Sequence, residues 1–242
     1  MRTYSLLASL LAMTVSSSYA QSPATSTPTL APYTARYNVR YHGVSGGDLE
    51  FTLKSDGNGH YTFSSHVLPN FLGGLFISDQ AEDSSEMLLE GNQLKPLKFH
   101  SDDGTKETLK DISYDFDWSK SSVNGRYKNQ DFHLDVPAGV QDRMSIQLAA
   151  ALALQAGLEP GHLVMIEKDE LQDYSITKAG NEHVRVAAGE FDTVVLKSER
   201  EGSSRTTRYW NAAKLNYIPV RAERSTKGSV DIVMELKSYR AL

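Results

Sequence analysis

DRMSIQLAAALALQA, residues Asp142 to Ala156, is the one long segment after the N-terminus that reads as helix in a chain otherwise alternating like β-strands. Between Met144 and Leu154 only Ser145 and Gln147 are polar. A helix apolar on nearly every side is either buried or membrane-spanning. About 15 residues at ~1.5 Å rise give roughly 22 Å, too short for a bilayer core. The expected fold is therefore mainly β, an antiparallel open barrel or half-barrel of about 13 strands wrapped around one buried central helix.

The ends of this helix are legible. Pro137-Ala138-Gly139 breaks the preceding strand, and Asp142 offers a carboxylate to the free N–H groups of the first turn. Gly157 stands where a left-handed cap is expected, and Pro160-Gly161 forbids continuation. Burying Met144, Ile146, Leu148, Leu152 and Leu154 at about 1.5–3 kcal/mol each contributes at most about 7–15 kcal/mol. That upper figure matches the net stability of a whole domain, about 5–15 kcal/mol.

Outward from the helix the period is two. Tyr33, Ala35, Tyr37, Val39 and Tyr41 alternate with Thr34, Arg36, Asn38, Arg40 and His42. Asp56-Gly57-Asn58-Gly59 marks a hairpin, and Tyr61, Phe63, Ser65 and Val67 resume the alternation. Strands are expected near Gln80–Leu88, Leu94–His100 and Ile112–Trp118, with a strand or pair over Val123–Leu134. After the helix they are expected near Leu163–Glu167, Tyr174–Lys178, Glu182–Ala187, Phe191–Glu199, Arg205–Asn211, Ile218–Ser225 and Val230–Tyr239. With no repeat and no change of composition, 33–242 reads as a single β-rich domain.

The N-terminus reads as an export signal over residues 1–20. Arg2 precedes an apolar run from Leu6 to Val15, and small residues lead to a cut between Ala20 and Gln21. The apolar run is about half of what a spanning helix requires, so no transmembrane segment is expected in the mature chain. Residues 21–32, QSPATSTPTLAP, read as a flexible leader. The chain has no cysteine, so a lipid-bearing N-terminal cysteine, a disulfide and a thiolate metal site are all excluded. A soluble periplasmic protein that is not a lipoprotein is the resulting expectation. Of 25 Lys and Arg and 30 Asp and Glu, cleavage would remove only Arg2, leaving a net charge near −6 that argues against nucleic acid.

Few constellations carry chemistry. Gly43-Val44-Ser45-Gly46-Gly47 fits a serine-hydrolase pattern, but that motif needs a strand-to-helix elbow, and both flanks here read as strands. The seven histidines form no helical ligand pair, although His60 and His66 share a strand face. Asp115 and Asp117 share a face that reads as solvated. No catalytic residue, metal ligand or cofactor is therefore assigned. Arg200, Arg205, Arg208, Arg221 and Arg224 form a basic cluster, read either as cross-strand ion pairs or as an anion or headgroup site. Phe71, Leu72, Leu75 and Phe76 surround Gly73-Gly74, read either as a plug of the core or as a flap over an apolar cavity.

Several stretches together resemble a known family. They are Tyr37-Asn38-Val39 before a glycine turn, Asp142-Arg143-Met144-Ser145 leading into the Ala/Leu helix, and Gly180-Asn181-Glu182-His183-Val184. Ala188-Gly189-Glu190-Phe191-Asp192-Thr193, Tyr209-Trp210 and Ile218-Pro219-Val220-Arg221 follow. In order and spacing they resemble a bacterial periplasmic family known as domain of unknown function 3108, over Tyr33 to about Tyr239. The strand-turn-x-Pro-Val pattern is also similar to the lipoprotein-carrier fold of the outer-membrane lipoprotein chaperone. That resemblance implies an open barrel around helices with an acyl-binding cavity, and it transfers no catalytic residue.

The function expected is a non-enzymatic carrier with an apolar cavity for a lipid-like ligand. Phe71, Leu72, Leu75, Phe76, Leu148 and Leu152 would line it, with Arg205 or Arg208 at a headgroup. The alternative is a cell-envelope structural or assembly factor working through contact with an envelope protein. A hydrolase comes last.

Overall fold

The computed structural model describes residues 28–75 and 78–242, apart from the side chain of Leu75. The export signal, the Ala20–Gln21 cut, residues 21–27 of the leader, and Phe76 lie outside the described residues.

The chain first lays down β1 (Tyr33–Tyr41), β2 (Val44–Ser55), β3 (His60–Pro69), β4 (Glu82–Glu90) and β5 (Gln93–Asp102). β6 (Ile112–Asp117), β7 (Ser122–Tyr127) and β8 (Gln130–Asp135) complete the first meander. The helix α1 (Ser145–Gln155) follows. The second meander is β9 (Gly161–Glu167), β10 (Glu170–Val186), β11 (Gly189–Arg200), β12 (Arg205–Ala212), β13 (Ile218–Thr226) and β14 (Ser229–Ala241).

All 14 strands belong to one antiparallel sheet, in which β1 pairs with β14 and so joins the two meanders. β8 and β9 are the edges, so the sheet is not closed as a hydrogen-bonded ladder. α1 is the connection between those two edges. Just before it, Gln141 borrows the free side of β9. Its N–H donates to Val164 (2.9 Å), and its carbonyl accepts from Ile166 (2.9 Å). The Gln141 side chain then donates to the Leu94 carbonyl on β5 at 3.0 Å. Lys168, in the β9–β10 turn, lies 5.8 Å over the ring of Tyr127 at the end of β7, so the two edges also approach there.

Alternation builds the core. Tyr33, Ala35 and Tyr37 are buried between partly exposed neighbours on β1, and they pack with Phe51, Leu53 and Phe63 of β2 and β3. Leu148 and Leu152 of α1 join this cluster, whereas Ala150 and Leu154 join a smaller one with Ile176 and Leu196. The helix thus packs against both meanders, its buried positions falling on two faces as its apolar sequence requires. At its C-terminus Gly157 adopts φ +72°, and the N–H of Leu158 bonds the Ala153 carbonyl at 2.9 Å, a left-handed cap.

Of the strand or pair expected over Val123–Leu134 the structure shows the pair, turned at Lys128-Asn129, where both residues take positive φ (52° and 59°). Two other boundaries differ from the sequence reading. The two segments expected over Tyr174–Ala187 are one strand with an irregularity at Gly180, whose φ is +138°. The leader reading for 21–32 runs too far, because Leu30 is buried in the main core and Thr29 N–H bonds the Gln155 side chain at 2.9 Å. A single leucine in a Pro/Ser/Thr stretch carries no period, although it has a core to enter.

Candidate functional site

The sheet and helix border a partly open cavity of about 260 Å³ between α1 and the second meander. Its floor is apolar: Ile146 and Ala150 from the helix, Ile176 from β10 and Leu196 from β11. Strand alternation supplies the wall. On β12 Arg205, Thr207, Tyr209 and Asn211 line the cavity, and on β11 Ser198 and Arg200 do so beside Leu196. Arg143, just before the helix, and Arg224 on β13 bring the number of lining arginines to four.

Those four guanidinium groups are not equivalent. Arg143 pairs with Asp83 and Ser101 and lies 5.2 Å over the Phe99 ring. Arg224 grips Asp231 with two bonds, from Nε at 3.1 Å and from Nη2 at 3.0 Å. Those bonds, with a weaker one from Thr226, pull the Asp231 carboxyl down to about 2. Among the described residues Arg200 has only Glu167 as an acidic partner, at 4.0 Å. Glu167 in turn accepts the Tyr174 hydroxyl at 3.2 Å, and burial, helped by that carboxylate, pushes this phenol up to about 12. Arg205 has no carboxylate within 4.0 Å among the described residues. The site therefore keeps two cations with little internal neutralisation beside an apolar floor, which suits an anionic group attached to an apolar body.

The sequence candidates divide sharply. Arg205 is in the cavity wall. Arg208, three positions on, falls on the opposite face of β12, bonded to Glu182 at 2.8 Å and lying 4.8 Å over the Trp210 ring. Leu148 and Leu152 turn away into the main core, Leu148 bordering only two voids of about 10 Å³. Phe71 and Leu72 are 85% and 50% exposed on the turn after β3 and do not line the cavity. Asn70 fixes that turn to the β1–β2 hairpin, bonding the Ser45 carbonyl at 2.8 Å. Phe76 lies outside the described residues, as does the side chain of Leu75. Ile146, Arg143, Glu167 and Tyr174 were missed, since a two-residue period marks which residues share a face but not which face holds a void.

Other groups of reactive type are tied up or scattered. Ser45 sits at the start of β2 and accepts from Asn38 Nδ2 at 3.1 Å, so of the glycine-rich motif Gly43 is in the β1–β2 turn and the rest lies on the strand, with no strand-to-helix elbow. His60 and His66 are exposed on β3. Asp102, Asp103 and Asp111 bring carboxylates within 4.8 Å of one another, and Lys110 pairs with Asp103 at 3.0 Å.

Among the described residues no helix is long and apolar enough to cross a membrane. A family model described as "Protein of unknown function (DUF3108)" matches residues 36–237. No curated protein matches the chain. Among solved structures, a β-barrel-like protein of domain of unknown function DUF1849 from Brucella abortus is similar in fold, with a TM-score of 0.55 at 11% identity, covering 88% of this chain and 98% of that one. A protein from Bacteroides fragilis, described as exported and of YmcC-like fold, gives 0.36 at 11% identity over 88% and 98% of the two chains.

Proposed function

Because the chain belongs to the DUF3108 family, whose description names no activity, we propose from the site alone that it is an exported, non-enzymatic binding or carrier protein for a lipid-like ligand. The observation that carries this reading is the cavity of about 260 Å³ with an apolar floor and a cationic wall. In this reading the two meanders form a half-barrel around α1, and the ligand lies between the helix and β9–β13. Each CH₂ group moved from water to the floor contributes about 0.8 kcal/mol, so roughly ten such groups match the ~8 kcal/mol of a micromolar complex before the cost of association, and the cationic wall must supply part of the affinity. The polar groups around it are guanidinium, hydroxyl and amide, with one carboxylate, Glu167, that lies beside Arg200 and Tyr174. The periplasmic setting rests on the export signal read in the sequence.

A role through protein contact at a sheet edge has less support. β8 is an edge strand, but Asp131, His133 and Asp135 are exposed along it, and charge on an edge discourages strand addition.

The test is direct. The mature protein, purified from an envelope extract under mild conditions, is examined by native mass spectrometry and titrated with the neutral apolar dye N-phenyl-1-naphthylamine. A co-purified small molecule or saturable dye binding is expected, and Ala150→Trp, which fills the floor, should abolish the dye signal while leaving the circular dichroism spectrum unchanged. Absence of both ligand and dye binding in the parent would overturn the reading.

A further inference from the structure

The cavity's volume and the β11–β12 hairpin that borders it restrict the ligand further. On that hairpin Ser198 pairs with Thr207 and Glu199 with Thr206, so Arg200 and Arg205 stand one register step beyond, opposite each other. Both line the cavity, with Ser203 of the connecting turn beside them. Like charges facing each other across a strand pair cost stability. Here nothing in the hairpin offsets that cost. Arg205 has no acidic partner within 4.0 Å among the described residues, and the nearest for Arg200 is Glu167 at 4.0 Å. Neighbouring arginines are paired, Arg208 of β12 with Glu182 and Arg224 of β13 with Asp231. A negative group between Arg200 and Arg205 would turn the repulsion into two charge-assisted contacts.

Volume limits the remainder of the ligand. The cavity is open to solvent on one side, and at ~30 Å³ per water-sized group its space of about 260 Å³ shelters roughly nine such groups, head and chain together, which suits one chain better than two. The apolar floor of Ile146, Ala150, Ile176 and Leu196 is continuous with the wall that carries the two arginines.

We infer that the ligand is a single-chain anionic amphiphile, its chain against Ile146, Ala150, Ile176 and Leu196 and its phosphate or carboxylate head between Arg200 and Arg205. This deepens the binding-protein reading and depends on it.

The experiment compares competitors for N-phenyl-1-naphthylamine on the mature protein: decyl phosphate, decanoate, decanol, inorganic phosphate and a two-chain phosphatidylglycerol. Decyl phosphate and decanoate should displace the dye at concentrations about tenfold below decanol, the effect of one charge-assisted contact. Inorganic phosphate and the two-chain lipid should not compete. Arg205→Gln and Arg200→Gln should each erase most of that preference. Arg208→Gln removes the same charge from the other face of β12 and should keep it. Arg205 is exposed, so its loss leaves folding intact, and Arg205→Lys should retain part of the preference. Equal displacement by decanol and decyl phosphate, or equal effects of Arg205→Gln and Arg208→Gln, would overturn the head assignment while dye binding still upheld the general reading. Displacement by the two-chain lipid would overturn the single-chain assignment. Failure of the dye to bind at all would overturn both readings.

Discussion

The Ser85 hydroxyl donates a 2.6 Å hydrogen bond to the carboxylate of Asp142, joining the middle of β4 to the start of α1. The other carboxylate oxygen accepts the N–H groups of Met144 (2.7 Å) and Ser145 (2.8 Å), and both Ser85 and Asp142 are fully buried. A cap that also pins the helix to a strand does two tasks with one side chain. It orients the face of α1 that carries Ile146 and Ala150 toward the cavity.

Asp142→Ala should therefore destabilise the protein by about 2–4 kcal/mol, through the lost cap and the buried hydroxyl of Ser85 left unpaired. Asp142→Asn keeps an acceptor for the N–H groups and should cost less. Burial raises the Asp142 carboxyl above its ordinary value, with the hydrogen bonds opposing the shift only in part. The folded state then holds this proton more tightly than the unfolded chain does, so Asp142 lowers stability as pH rises above about 3.9, until its raised folded value is passed. Urea denaturation from pH 4 upward should show the gap between parent and Asp142→Asn narrowing with pH. Parallel curves would contradict a raised carboxyl.

Asp231 works in the opposite sense. Its folded value of about 2 lies below that of an unfolded aspartate, mainly through the bond from Arg224. Its contribution is complete above about pH 3.9 and is lost as pH falls toward 2. Asp231→Asn should melt at a lower temperature than the parent at pH 6, with the difference shrinking by pH 2. A constant difference across that range would mean the pair is not formed. Because Arg224 lines the cavity, the same variant should also alter displacement of the dye by decyl phosphate.

Much of this architecture is legible in the residues, for definite reasons. The alternation from Tyr33 to Tyr41 gives a strand whose one face is core, and a nearly all-apolar helix between two meanders has nowhere to lie but against both. The Lys128-Asn129 hairpin is hidden because neither residue is the glycine expected in so tight a turn. The burial of Leu30 is hidden because one apolar residue has no period. The site was only partly legible. The sequence offers Arg205 or Arg208 for a headgroup; Arg205 lies in the cavity wall and Arg208 on the opposite face of β12, and only strand parity separates the two. Leu148 and Leu152 read as lining because the helix offers apolar residues on every side, and the sequence does not show which side meets empty space.

The turn after β3 separates packing from binding. Gly73 approaches the carbonyl of Gly46 so closely that a Cβ would collide with backbone, which cannot yield as a flexible side chain would. Gly73→Ala should displace the turn and lower the melting temperature by several degrees, consistent with about 1–3 kcal/mol of overpacking. Phe71→Ser, at a position 85% exposed, should change neither melting nor dye affinity. Weaker dye binding in Phe71→Ser would return this turn to the role of a flap over the cavity.

The two faces of α1 allow a sharper contrast. Leu152 is 3% exposed in the main core, and Leu152→Ala should cost about 2–5 kcal/mol by leaving a void among well-packed neighbours. It does not line the cavity, so dye affinity measured well below the melting temperature should stay near that of the parent. Ile146 is only partly buried and faces the cavity, so Ile146→Ala removes methylenes from a wall that is already incomplete. Its stability cost should fall below that of Leu152→Ala, while the ligand loses apolar contact worth about 0.8 kcal/mol per CH₂. Chemical denaturation and dye titration on the two variants check both halves. If Leu152→Ala weakened binding more than Ile146→Ala did, the ligand would lie on the Leu148–Leu152 side of the helix, as the sequence alone suggested.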